Sequence, residues 1–143
     1  MGDVRPWDVA DGDAQCLRGI PDHEFDFVHL SNCLEHLDDP REAVRNRLRV
    51  LKPGGFLIVT VPDKYLYKAG HWPSRCDRDP LWSFTIHRAA PRHHRSLNVV
   101  DLLRDFGAGL ECELLRLVRD FYVEGEADRD QTLGPSAPGA RSP

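Results

Sequence analysis

FDFVHLSNCLEHLDDPREAVRNRLRVLKPGGFLIVTVP, residues 25–62, is the stretch whose reading decides the fold. Its opening, Phe25-Asp26-Phe27-Val28-His29-Leu30, is short, apolar and aromatic, the composition of a buried strand. Asp39 stands where a helix N-cap belongs, Pro40 suits the first helical position, and Glu42 completes a capping-box spacing. Val44, Leu48 and Leu51 recur at i, i+4, i+7 with Ala43 beside them, which places Arg41, Arg45, Arg47 and Arg49 on the other faces. Pro53-Gly54-Gly55 is expected to stop the helix, because Pro removes a donor and Gly tolerates positive φ. Phe56-Leu57-Ile58-Val59-Thr60-Val61 is then a strand too apolar to have a wet face. Strand, crossover helix and apolar strand predict a right-handed βαβ unit, hence an α/β domain with a parallel sheet.

Working outward, 143 residues suffice for one domain with a core. The chain holds no apolar run of about 18 residues, so no membrane-spanning helix is expected, and its first fifteen residues lack the apolar region of a signal peptide. Cys16, Cys33, Cys76 and Cys112 are too scattered for a disulfide framework, which points to reduced thiols and a cytoplasmic setting. A net charge of −4 argues against general affinity for nucleic acid.

The central stretch also carries a resemblance. Leu30-Ser31-Asn32-Cys33-Leu34-Glu35-His36-Leu37, followed by a helix and then Arg49-Val50-Leu51-Lys52-Pro53-Gly54-Gly55 before an apolar strand, is similar to the second half of a class I S-adenosylmethionine-dependent methyltransferase, of the methyltransferase type 11-like kind. The likeness runs over residues 3–133 and is densest over 13–62. It implies a partial Rossmann-like, doubly wound parallel sheet, S-adenosylmethionine as cofactor, and a set of site residues. Asp3 matches the acidic residue that accepts from the ribose hydroxyls, a role that suits an acceptor-only carboxylate; the alternative is a solvated residue near a frayed terminus. Asp13 and Ala14 match the pair that meets the adenine, the carboxylate taking the exocyclic amine and the next backbone N–H a ring nitrogen; the alternative is a plain Asp-Gly turn. Ser31 and Asn32 follow the strand at 25–30, and ligands of open α/β sheets bind beyond the carboxyl ends of strands, so both would line the cofactor crevice.

His36 is the candidate catalytic residue, a general base on an acceptor hydroxyl, the task to which histidine as a residue type is suited. Two readings compete with it. Methyl transfer often needs little beyond positioning, and Glu35-His36 could simply pin the loop. Some relatives bind a divalent metal through E-x-x-E-H, but here the first carboxylate is Asn32, a weaker ligand for a hard cation, so no metal is expected. Zinc at His71, Cys76 and His87 fits no common spacing.

Residues 63–95 are rich in Pro, Trp, His and Arg, with one strand-like piece at 82–86. An insertion at this place helps build the acceptor pocket, and the segment resembles a bacterial subgroup linked with surface polysaccharides, which suggests a small-molecule or saccharide acceptor. Trp72 and Trp82 could stack on a ring, though core packing is the commoner fate, and the basic run 88–95 could hold a phosphate. A short strand is expected at 7–10, a helix capped by Ser96 over 97–106 and ended by Gly107, and one or two strand segments over 111–123. The last residues are a low-complexity tail, giving a division into 1–124, the C-terminal portion of the methyltransferase domain, and 125–143.

What the resemblance implies but the N-terminal residues do not show is a strand feeding a Gly-rich turn and a helix N-terminus, where the methionine end of the cofactor packs. The chain is therefore expected to be a fragment of the family's domain. The two apolar strands would keep each other as neighbours yet leave edges unpaired, inviting self-association. Alternatives to an incomplete enzyme are a non-catalytic remnant that serves as an interaction module and an unrelated α/β binding domain.

Overall fold

The structure is a computed structural model that describes residues 3–67, 79–87 and 95–120. Strand β1 (Phe25–Ser31) leads through a 3-10 turn at Leu34–His36 into helix α1 (Pro40–Val50), which passes directly into strand β2 (Leu51–Thr60). The two strands pair in parallel, with Phe27 opposite Phe56, Leu30 opposite Val59 and Ser31 opposite Thr60. After β2 come a short helix α2 (Lys64–Tyr67) and two three-residue strands, β3 (Ser83–Thr85) and β4 (Ser96–Asn98), which form a second parallel pair. Helix α3 (Val99–Arg104) follows. The expected parallel α/β unit is present, while the second small sheet was not foreseen.

The helix start is as the sequence dictates, with one change of partner. Asp39 Oδ1 accepts from Arg41 N at 2.8 Å and Glu42 N at 3.2 Å. The returning half of the expected capping box is not made by Glu42. Gln15 supplies it: its Oε1 accepts from Asp39 N at 2.8 Å and its Nε2 donates to Glu42 Oε2 at 2.7 Å. A residue distant in sequence thus completes the cap.

Pro53-Gly54-Gly55 proves to be a strand feature rather than the helix stop. The helix ends at Val50, and the Pro-Gly-Gly triplet sits inside β2 where the register slips between Phe25 and Phe27. Gly54 takes φ +77°, and a Cβ on Gly55 would lie 2.8 Å from Asp26 O and 3.0 Å from Lys52 O. A backbone packed so closely admits only glycine there.

Val28, Leu30, Leu57 and Val61 pack on Ala43, Val44 and Leu48 of α1, with Leu34, Phe84, Leu97 and Leu102 closing the core. The other face of the sheet is bare: Phe27 is 49% exposed, Phe56 57% and Ile58 51%. In-register residues share a face, so these three form one apolar surface.

Other expectations need correction. Residues 7–10 are not a strand; Asp8 caps a 3-10 turn at Val9–Asp11, and Trp7 Nε1 donates to Gly12 O at 3.2 Å. Asn98, not Ser96, caps α3, because Ser96 is taken into β4. Residues 111–119, expected to hold strand segments, form no strand among the described residues. Gly107-Ala108-Gly109 is a G-x-G tripeptide, yet it forms a 3-10 turn after α3 and opens no helix behind a strand. Residues 121–143, Trp72, His71, Cys76 and most of the basic run lie outside the described residues.

Candidate functional site

A cavity of about 1250 Å³ runs along β2 to Val61 and beside residues 109–118; at the carboxyl end of the strand its lining includes Asn32, Glu35, His36, Thr60 and Asp63. Ser31 ends β1 opposite Thr60, and Asn32 turns away with φ +46° while its N–H still donates to Thr60 O at 3.0 Å. Asparagine tolerates this left-handed backbone better than most residues, so the turn that exposes Ser31 and Asn32 is written in the residue type. Both side chains are exposed, as a ligand-contacting pair must be before its ligand arrives.

Glu35 and His36 share the 3-10 turn but not its environment. The Glu35 side chain is 3% exposed and that of His36 is 42% exposed, with His36 Nε2 3.9 Å from Glu35 Oε1. The Glu35 carbonyl accepts from Leu81 N at 2.7 Å and Trp82 N at 3.0 Å. Glu35 therefore anchors the segment after α2, while His36 faces the cavity with an accessible ring. Trp82 is half-buried, its Nε1 donating to Asp38 O at 3.1 Å and the Arg95 guanidinium lying 5.8 Å from its ring centre. It packs against the core, so the packing alternative describes it.

Asp13 and Ala14 lie on a loop that α1 holds from beneath. Asp13 Oδ1 accepts from Gln15 N at 2.8 Å, closing a tight Asx turn. That hydrogen bond, reinforced by Cys16, lowers the Asp13 pKa, so the carboxyl is ionised and acceptor-only at neutral pH. Asp3 is exposed and belongs to no element; the structure does not tie it to the other site residues. Among the described residues no group of three His, Cys, Asp or Glu could hold a metal ion, and no helix is long and apolar enough to cross a membrane.

Sequence reasoning missed several residues here. Asp63 lines the cavity, caps α2 through Oδ1 (Tyr65 N at 2.9 Å, Leu66 N at 3.2 Å), and its buried Oδ2 meets no hydrogen-bond partner. Lys64 is buried, with Nζ on Ser96 Oγ at 2.9 Å. Arg47, placed by periodicity on an outward face, is only 4% exposed. Its spacing from Ala43, four residues earlier on the same face, was the available signal.

S-adenosylmethionine can be tested against these residues. An ionised Asp13 beside the Ala14 N–H offers the acceptor and donor that an adenine edge requires, and the exposed Ser31–Asn32 turn stands over the sheet where a sulfonium methyl would be presented. Asp13, Ala14 and Ser31 are not among the residues that line the cavity, whereas Asn32 is. For the methionine end, no strand among the described residues runs through glycines into a helix N-terminus.

A family model described as a methyltransferase domain matches residues 3–59. The ubiquinone/menaquinone biosynthesis C-methyltransferase of Vibrio cholerae is 49% identical over 40 residues, 28% of this chain and 15% of that protein. A probable S-adenosylmethionine-dependent methyltransferase of Mycolicibacterium smegmatis is 33% identical over 119 residues, 82% of this chain and 40% of that protein. An uncharacterized methyltransferase of Schizosaccharomyces pombe is 34% identical over 82 residues, covering 54% of this chain and 29% of that protein. The chain thus spans less than half the length of these curated relatives. No solved structure matches.

Proposed function

We propose that this chain, which belongs with the class I S-adenosylmethionine-dependent methyltransferases through its methyltransferase domain at residues 3–59, takes part in methyl transfer to a small-molecule or saccharide acceptor held over the carboxyl ends of β1 and β2. When bound, the cofactor supplies an electrophilic sulfonium methyl. Asp13 and Ala14 hold the adenine edge, Asp3 the ribose, and Ser31 with Asn32 line the crevice. His36 takes the proton of an acceptor O–H that the cavity has brought into line, since its ring is accessible where Glu35 is buried. The sheet is a portion of a doubly wound one, in which ligands sit at strand carboxyl ends. The observation that supports the reading is that Asn32 and His36, from the turn after β1, and Thr60 and Asp63, at and just beyond the end of β2, line the carboxyl-end part of the cavity that runs along β2.

Ultraviolet cross-linking of radiolabelled S-adenosylmethionine to the chain, followed by peptide mapping, tests it. Label in peptides spanning 11–37 is expected. Label confined to 51–60 or to 96–120 would contradict the assignment.

A second reading has its own observation. Phe27, Phe56 and Ile58 make an apolar face on a sheet that is two-stranded among the described residues, which suits self-association and a role as an interaction module rather than a catalyst. It is tested by oligomeric state, as set out in the Discussion.

A further inference from the structure

We infer that Arg47 is a positioning residue of the cofactor crevice, tying the loop that carries Asp13 and Ala14 to the backbone of α1. The inference rests on the adenine reading of that loop and adds to it the device that holds the loop in place.

Arg47 leaves α1 toward the sheet end and is almost fully buried. Its NH1 donates to Gln15 O at 3.3 Å and to Ala43 O at 3.3 Å. Gln15 follows the Asp13–Ala14 pair. One guanidinium therefore joins that loop to the helix backbone, and Asp13 is close enough to feel its charge. Among the described residues no carboxylate forms an ion pair with Arg47; carbonyl oxygens accept from it, and the Asp13 charge acts on it from a distance. Burial pulls its pKa below the usual value, the cost expected for a cation held out of water. A side chain needed only for packing would be better apolar. A fork of fixed planar donors is what bridging two backbone segments requires.

Its neighbours act on the same loop. Asn46 Nδ2 also donates to Gln15 O, at 3.1 Å. Arg49 donates to Ile20 O at 2.9 Å and Leu17 O at 3.2 Å. Gln15 itself reaches Glu42 and the Asp39 N–H. Four side chains of α1 thus grip a loop that contains no regular structure over 12–24, and a site so held loses less entropy when it takes its ligand.

The test uses the whole 143-residue chain and adenosine as probe, read by amide hydrogen exchange, with the alkylation rate of Cys16 reporting loop order. In the wild type, adenosine should protect peptides spanning 11–24 and 31–37 saturably. Arg47→Met should weaken that protection at least about tenfold in adenosine concentration, as for loss of a charged donor, and should speed Cys16 alkylation, while peptides of β1 and β2 exchange as before. Arg47→Lys, which keeps charge but not the fork, should recover part of the affinity, a partial rescue that loss of packing alone would not produce. Gln15→Ala, which leaves Arg47 in place, should shift adenosine affinity in the same direction and serves if Arg47→Met fails to fold. Adenosine affinity unchanged in Arg47→Met, or in Gln15→Ala where Arg47→Met does not fold, overturns the inference while leaving the adenine reading intact. Absence of protection at 11–24 in the wild type overturns both.

Discussion

Replacing Gly55 by alanine is the perturbation whose magnitude the structure sets most tightly. The added Cβ would lie 2.8 Å from Asp26 O, 3.0 Å from Lys52 O and 3.1 Å from Leu51 Cδ2. Two of these neighbours are backbone carbonyls on the two strands, so neither can swing aside without shifting the ladder. Forcing a methyl into a site this close costs about 1–3 kcal/mol, and the entropic gain of about 0.4–1 kcal/mol from losing a glycine in the unfolded chain offsets only part. Gly54 provides the internal control, with φ +77° but open space around its Cβ. Gly54→Ala should therefore show a left-handed strain of about 1–2 kcal/mol, which the same unfolded-chain offset reduces only in part, leaving a net loss smaller than at Gly55. The assay is amide hydrogen exchange over β1 and β2. A net loss of about 1.4 kcal/mol speeds exchange from the open state about tenfold, and Gly55→Ala should show at least that. An equal or larger effect at Gly54 would refute the reasoning, because it would place the constraint in backbone conformation rather than in close packing of the strands.

Further expectations follow from the same contacts. Size-exclusion chromatography with light scattering should find the chain self-associated, and Phe56→Glu with Ile58→Lys should shift it toward monomer, since both side chains are half exposed on one sheet face; a sharp wild-type monomer peak would remove the exposed face as an interface. Burial holds the Cys33 thiol above its ordinary pKa, so it should alkylate more slowly than the exposed Cys112 at pH 8.5, a difference that urea should erase. The sign for stability is the same: a raised thiol pKa contributes below the unfolded value of about 8.5 and is lost as pH rises past it. In a methyl-transfer assay, His36→Ala should lower turnover with cofactor affinity nearly unchanged. Loss of folded protein instead would assign Glu35-His36 to pinning the loop.

What was legible in the sequence was local. The apolar runs, Asp39-Pro40 and the periodicity of 40–51 give β1 and α1 to within a residue and the second half of β2, which begins at Leu51 rather than Phe56, because strands and caps are set largely by neighbours in the chain. Contacts closed over distance were not legible. Gln15 took the place assigned to Glu42 in the cap, since the hydrogen bond depends on where the loop before β1 lands rather than on spacing within the helix. Arg47 looked solvated because a charged residue is exposed by default; only the fold reveals the carbonyls of Gln15 and Ala43 that it serves. Pro-Gly-Gly was read as a helix stop for sound conformational reasons, but Gly55 answers to Asp26 across the sheet while Gly54 supplies a positive φ. For the site, the turn at Asn32 was readable from residue type and position after a strand. Asp63 was not, since nothing in its spacing shows that an oxygen is buried without a partner.

The central claim is that the adenosine half of the cofactor lies on the Asp13 loop. Isothermal calorimetry of S-adenosylhomocysteine against the chain and against Asp13→Ala tests it most directly. The account predicts that Asp13→Ala weakens binding by about 1–3 kcal/mol, the loss of a hydrogen bond to a charged acceptor. Equal affinities for the two proteins would contradict it and move the adenine away from Asp13.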